Sequence, residues 1–135
     1  MLNERSAINK IKLKFGEIEE IVLIPLPLGG FFSASMTAEG IMVDNLGFYP
    51  FLPWTVFVEV INFLIGRNGR AEKGFSMSAR LGDEGLSLET VEGHLAHVIY
   101  DKKEREIIFR RMSSISAILV WVGVCDATTD ELILR

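Results

Sequence analysis

Cysteine is almost missing: the 135-residue chain holds one, Cys125, and only two histidines. A single thiol excludes an intramolecular disulfide and any zinc site built on several cysteines. A cationic surplus is missing too. Lys and Arg number 14 against 18 Asp and Glu, for a formal net charge of −4 and an isoelectric point near 5.2. A chain that coats nucleic acid is basic, so any such contact here must come from a local patch. Long apolar runs are absent. The longest, Ile115 to Cys125, is broken by Ser116 and falls short of the roughly 20 residues that span a bilayer. The opening MLNERSAINKIKLKF lacks the apolar segment of a secretory leader, so the expectation is a cytoplasmic protein with no membrane contact. There is no internal repeat, no low-complexity tract, no Walker-type phosphate loop, and neither GxGxxG nor GxSxG.

What the chain does have is apolar content. Hydrophobic residues make up 49%, charged residues 24%, and the mean hydropathy is +0.30. This length is that of one domain with a continuous core. A positive mean hydropathy also suits a domain whose surface is partly covered by a partner.

Residues 10–15, KIKLKF, alternate strictly: Ile11, Leu13 and Phe15 against Lys10, Lys12 and Lys14. That period predicts a half-buried strand, its lysines guarding an exposed edge or meeting phosphates. Ile21 to Ile24 predicts another strand, stopped by Pro25 and Pro27. Residues 31–47 predict a hairpin or two short strands, with turns near Glu39-Gly40 and at Asn45 to Gly47. The aromatic FYPFLPW, residues 48–54, predicts an irregular loop stiffened by Pro50 and Pro53.

From Pro53 the period changes. Phe57, Val60, Ile61 and Leu64 stand at i, i+3, i+4 and i+7, the stripe of a helix that Gly66 ends. AEKGFSMSARLG, residues 71–82, predicts a short second helix. LSLETVEGHLAHVIY predicts a third, capped by Ser87, with Leu88, Val91, Leu95, Val98 and Ile99 on its apolar face and Glu89, Glu92 and His97 opposite. IIFRRM (107–112) reads as a strand. ISAILVWVGVCDA is strand-like in content yet long enough for a buried helix capped by Ser113 or Ser114, and ELILR reads as a last strand.

The fold class expected is therefore α+β: a single small domain with an N-terminal antiparallel β portion (about 10–47) packed on a helical portion (about 53–103). A closing strand and an apolar segment (about 107–135) follow. Helix, short helix, loop, helix and strand over residues 57–111 is the order of a winged helix-turn-helix. Within it Ser87, Thr90, Val91, Glu92, His94 and Leu95 form S-x-x-T-V-E-x-H-L, which resembles the recognition helix of the LuxR-type helix-turn-helix regulators. The resemblance covers residues 59–103. It implies that this helix lies in a DNA major groove, that residues 59–64 form the first helix, that Ala79 is the buried small residue of the second, and that Thr90 and His94 join the contact.

Cations flank that helix. Arg67, Arg70, Lys73 and Arg80 face only Glu72 within residues 66–82, Lys102 follows the helix, and Arg110 and Arg111 lie on the expected wing. Brought together they would give an acidic protein one basic face, and the expected function is then a non-enzymatic regulatory domain contacting nucleic acid, DNA above all, through that surface; left apart they are ordinary solvated charges. His94 and His97, with Asp101 beyond, have a spacing that permits a metal but nominate no third ligand, so no metal and no cofactor are expected. Cys125 closes an apolar segment, where thiols are usually inert. The other function class is a protein-interaction or homodimerising module, for which Phe48, Tyr49, Phe51 and Trp54 are the candidate contacts. An enzyme stays open, with no chemistry to assign to it.

Overall fold

The computed structural model describes residues 3–16, 21–74 and 80–135. The first element, α1 (Glu4–Gly16), is a helix where the alternation of residues 10–15 predicted a strand. Its start explains the outcome. Asn3 Oδ1 accepts from the Ser6 N–H at 2.9 Å and Ser6 Oγ accepts from the Asn3 N–H at 3.0 Å, a reciprocal cap that satisfies two otherwise orphaned donors. From there Ala7, Ile8, Ile11 and Phe15 fall on one buried face, while Leu13 is left 65% exposed. The lysines are not a guarded edge. Lys12 and Lys14 lie over the rings of Trp54 and Trp121 at 5.0 and 5.2 Å, and Lys10 Nζ donates to the Gly123 carbonyl.

β1 (Val22–Pro25), β2 (Phe31–Met36), β3 (Gly40–Val43) and β4 (Phe51–Pro53) form an antiparallel sheet in the order β1-β2-β3-β4. The turns expected near Glu39-Gly40 and Asn45 to Gly47 join β2 to β3 and β3 to β4, and β1 reaches β2 through Gly29 and Gly30, whose φ of 101° and 80° an L side chain rarely adopts. FYPFLPW is less irregular than expected, since Phe51–Pro53 pairs with Gly40–Met42 as the edge strand, where a proline costs no ladder bond. α2 (Trp54–Ile65) starts directly after it, with Val56, Phe57, Val60, Ile61 and Leu64 fully buried.

β5 (Arg70–Glu72) replaces the start of the expected second helix, and Gly74 at φ 93° breaks any helix through it. Residues 75–79 of that segment, Ala79 among them, lie outside the described residues. The next helix, α3 (Val91–Val98), begins later than predicted. Thr90 rather than Ser87 is its cap, and Ser87 closes the preceding turn. Residues 107–112 are not a strand; Ile107 makes one isolated bridge to Arg80, and Met112 already opens α4 (Met112–Trp121). The ambiguous apolar segment is thus a helix followed by β6 (Cys125–Ala127), and β7 (Glu131–Leu134) is the predicted last strand.

β5, β7 and β6 make a second antiparallel sheet with β7 central. The chain is accordingly a single α+β domain. α1 and α2 pack together beneath the four-stranded sheet, α4 packs on β1 and β6, and α2 touches α3, β5 and β7. One large core joins these elements, and a satellite of Leu81, Leu86, Ala96 and Ile108 sits under the loops around α3. Among the described residues no helix is long and apolar enough to cross a membrane.

Candidate functional site

α3, the stretch with the resemblance, is short and largely enclosed. Thr90 is 2% exposed; its Oγ1 accepts from the Gly93 N–H at 3.1 Å and donates to the Ser87 carbonyl at 2.7 Å. Glu92, expected on the solvent face, is buried, and its carboxylate accepts from the Arg111 backbone N–H at 3.4 Å. His94 stacks on Phe63, centroids 4.3 Å apart, with Nε2 2.7 Å from Glu59 Oε1. His97 turns elsewhere, its Nδ1 lying 3.0 Å from the Lys102 carbonyl. Among the described residues no three His, Cys, Asp or Glu side chains converge on a common metal position.

The predicted cations are distributed over separate depressions. Arg67, Arg70 and Thr90 line one of about 430 Å³, with Glu72 and Glu89 beside them. Arg67 lies over Phe63 at 4.3 Å, and Arg70 forms a two-pronged pair with Glu131. That pair holds the guanidinium above its ordinary range and the carboxyl below its own. Arg80 donates to the Arg105 carbonyl. Arg110 is exposed and its neighbour Arg111 is buried. Lys73 lines a different cleft, about 610 Å³, with Leu26, Pro27, Asn45, Ser113 and Thr128. Burial lowers the Lys73 amine, opposed by the nearby Asp130.

Arg111 and Lys102 line a third depression, of about 420 Å³, with Tyr49, Tyr100 and Phe109. The Arg111 guanidinium carbon lies 3.6 Å from the Tyr100 ring centroid, 4.8 Å from that of Phe109 and 5.6 Å from that of Tyr49. Its residue is 9% exposed. Stacking on π faces offsets part of the cost of burying a cation. Burial raises the Tyr100 phenol above its usual range, with Arg111 pulling the other way.

Of the aromatic contacts predicted from sequence, Phe48 is 97% and Tyr49 56% exposed, Tyr49 resting edge-on against Phe109. Phe51 is half-buried. Trp54 is engaged within the chain, its Nε1 donating to the Ala38 carbonyl at 3.0 Å.

The sequence reading missed the outer face of the four-stranded sheet. Val22, Ile24, Phe32, Ala34, Ile41 and Leu52 point inward to the helices. The alternate positions point out, and Leu23, Phe31 and Met42 are exposed there. The register sets Leu23 opposite Ser33, Ser35 opposite Met42, and Met42 opposite Phe51. The outward row of β2 is thus Phe31, Ser33 and Ser35, and its two serines form a low floor with Leu23 on the β1 side and Met42 on the β3 side. Asp44 closes one end, accepting from the Ser33 N–H. A signal existed: four consecutive apolar residues, Ile21 to Ile24, in a meander strand oblige half of them to face away from the core. Comparison with known protein families, with characterised proteins and with solved structures gives no match.

Proposed function

We propose that this chain is a non-catalytic protein-interaction domain that docks an apolar helical segment of a partner protein on the outer face of its four-stranded sheet. The observation that carries the reading is the serine-floored groove between Leu23 on β1 and Met42 and Phe51 on β3 and β4. Two strand spacings separate its walls by about 10 Å, close to the width of an α-helix. Asp44 lies at one end, bonded to the Ser33 N–H, and the exposed side chains Leu23, Phe31 and Met42 make the complementary surface the apolar stripe of an amphipathic helix.

The chain's own helices argue against a second copy as the occupant. Among the described residues each leaves at most one large apolar side chain exposed, Leu13, Val98 or Val120, so a copy offers no apolar stripe to lay on the sheet. Nucleic acid is supported less than either. A strand-binding face needs cations along its groove, and the candidates Thr90 and Arg111 are buried while Arg70 is paired.

A photo-crosslinker at Ser35, compared with one at the exposed helix position Thr55, tests this in the cells that make the protein. The expected result is a discrete adduct at Ser35 only, lost in Leu23→Glu with the melting temperature unchanged. Identical adducts at both positions, or an adduct indifferent to Leu23→Glu, would sink the reading. An adduct of twice the chain mass would make the occupant a second copy.

A further inference from the structure

Two clefts lie side by side between the β1–β2 turn and α4. The larger, about 610 Å³, reaches from Leu26 and Pro27 to Lys73, Asn45, Ser113 and Thr128. The smaller, about 280 Å³, runs from Pro25 past Ala117 to Val120 and Trp121, and its lining is apolar but for Ser116. Leu26, Pro27 and Ala127 line both, so the two adjoin as one trough with unlike ends. The polar end chiefly offers donors. Asn45 Oδ1 already accepts from Ser114 Oγ at 2.9 Å, and Thr128 Oγ1 from the Glu131 N–H at 2.9 Å, which leaves the Asn45 amide N–H groups and the Thr128 hydroxyl proton to give. Lys73 is held by its backbone, its N–H donating to the Asp130 carbonyl at 2.7 Å and its carbonyl accepting from the Glu92 N–H at 2.8 Å. Its ammonium joins none of the salt bridges among the described residues. Burial lowers the amine, and Asp130, which lies outside the lining, opposes the shift. No acidic side chain lines the trough among the described residues. A partly desolvated cation set among donors favours an acceptor of opposite charge.

We propose that this trough binds a single-chain alkanoic carboxylate, its head at Lys73 and its alkyl chain running past Pro27 toward Val120 and Trp121. One ammonium balances one negative charge, so a carboxylate suits the head better than a doubly charged phosphate ester. The Asn45 amide and the Thr128 hydroxyl supply the neutral hydrogen bonds that a carboxylate's two oxygens can take. An alkyl chain asks nothing of the other end but apolar wall, which Pro25, Leu26, Pro27 and Ala117 provide. The volumes fall where small-molecule sites do, at about 300–1,000 Å³. The trough does not involve the outer face of the four-stranded sheet, so the inference stands apart from the docking function.

The test is calorimetric titration of the whole chain with hexanoate, octanoate and decanoate, using acetate as the bare head and 1-octanol as the uncharged chain. Saturable binding of decanoate at one site with Kd below about 1 mM is expected. Affinity should rise about twofold to fourfold per added methylene, acetate should not saturate, and 1-octanol should bind about tenfold more weakly than octanoate. Lys73→Met keeps the length of the side chain and removes its charge, and should weaken decanoate about tenfold or more. Val120→Glu sets a charge at the exposed rim of the far end, and should weaken decanoate more than hexanoate. Leu23→Glu, on the outer sheet face, should change nothing. Should Lys73→Met fail to fold, Val120→Glu and the contrast of octanoate with 1-octanol decide alone. No saturable binding of decanoate, or binding that either Lys73→Met or Val120→Glu leaves unchanged, overturns the proposal. So does binding that Leu23→Glu abolishes, because the alkyl chain then sits on the sheet.

Discussion

Gly93 lies inside α3, where alanine is ordinarily the better residue by about 1 kcal/mol. Propensity alone would therefore make Gly93→Ala stabilising. The turn before the helix reverses the sign. A Cβ at Gly93 would stand 2.0 Å from the Ser87 carbonyl oxygen and 2.9 Å from Thr90 Oγ1, against an ordinary C···O approach of about 3.3 Å. More than an ångström must be opened against backbone, not against a movable side-chain end. The same carbonyl accepts from the Thr90 N–H at 3.1 Å and from Thr90 Oγ1 at 2.7 Å, and that hydroxyl in turn caps the helix at the Gly93 N–H. Forcing the turn away costs overpacking strain of about 1–3 kcal/mol plus a cap worth about 1 kcal/mol. After subtracting the propensity gain, the net is a loss of roughly 1–3 kcal/mol, or a melting temperature lower by about 5–12 °C at this size. Gly66→Ala is the internal control: its φ is −66° and the nearest atom to a new Cβ is 3.5 Å away, so alanine there should be neutral or stabilising by a few tenths of a kcal/mol. Urea and thermal unfolding of both variants decide it. If Gly93→Ala melts at or above the wild-type temperature, the close approach of Ser87 is wrong.

Two further outcomes can be checked directly. Cys125 is fully buried, and burial, reinforced by Asp126, pushes its thiol up to about 12; Ellman-type reagents at pH 8 should react only as fast as the chain unfolds. Because the folded thiol holds its proton and the unfolded one loses it near pH 8.5, its contribution to stability is intact below that pH and declines from there toward pH 12. Cys125→Ala should flatten this alkaline decline in denaturant melts. A mixed-sequence DNA duplex, followed by anisotropy at two salt concentrations, should show no saturable binding at tens of micromolar protein in low salt. Tight binding that collapses with salt would return the basic side chains, Arg67 and Arg110 first, to the centre of the functional question.

Legibility in the sequence followed the length and redundancy of each signal. α2 was readable because Phe57, Val60, Ile61 and Leu64 all repeat one period, and all four are fully buried. β2 and β3 were readable because glycine turns bracket them. α1 was not, since Ile11, Leu13 and Phe15 satisfy a period of two while Ala7, Ile8, Ile11 and Phe15 satisfy 3.6; three residues cannot arbitrate, and the Asn3–Ser6 cap did. β5 has three residues whose partner strand lies some sixty positions away, a pairing with no local signature. α3 offered two capping residues, Ser87 and Thr90, and choosing the wrong one rotates Glu92 from core to solvent. In the aromatic loop Phe48 and Tyr49 are exposed while Trp54 bonds within the chain, a division that residue type alone does not foretell. Arg110 and Arg111 were indistinguishable as sequence, yet one is exposed and the other is enclosed by three rings. Only the path of the loop into α4 decides which.

The positive mean hydropathy finds its physical counterpart in where apolar side chains are left exposed. Scattered exposed hydrophobes are normal and carry no message; concentration does. Among the described residues, eight of the twelve large hydrophobic side chains left exposed fall between Ile21 and Tyr49, that is, on the four-stranded sheet and its flanking turns. The helices spend their apolar residues differently: those of α2 and α4 are buried or half-buried, with Val120 the exposed exception. The imbalance has a structural cause. α1 and α2 cover one face of the sheet, while α3, α4 and the strands of the second sheet pack on α2, on β1 and on one another. A two-layer arrangement is stable when the uncovered face is polar. Here β2 meets that condition only at Ser33 and Ser35, not at Phe31, and its neighbours present Leu23 and Met42. A sheet whose outer face is polar at two central positions and apolar around them has the cross-section of a seat for a third layer, and a helix supplied by another protein is the layer that fits it.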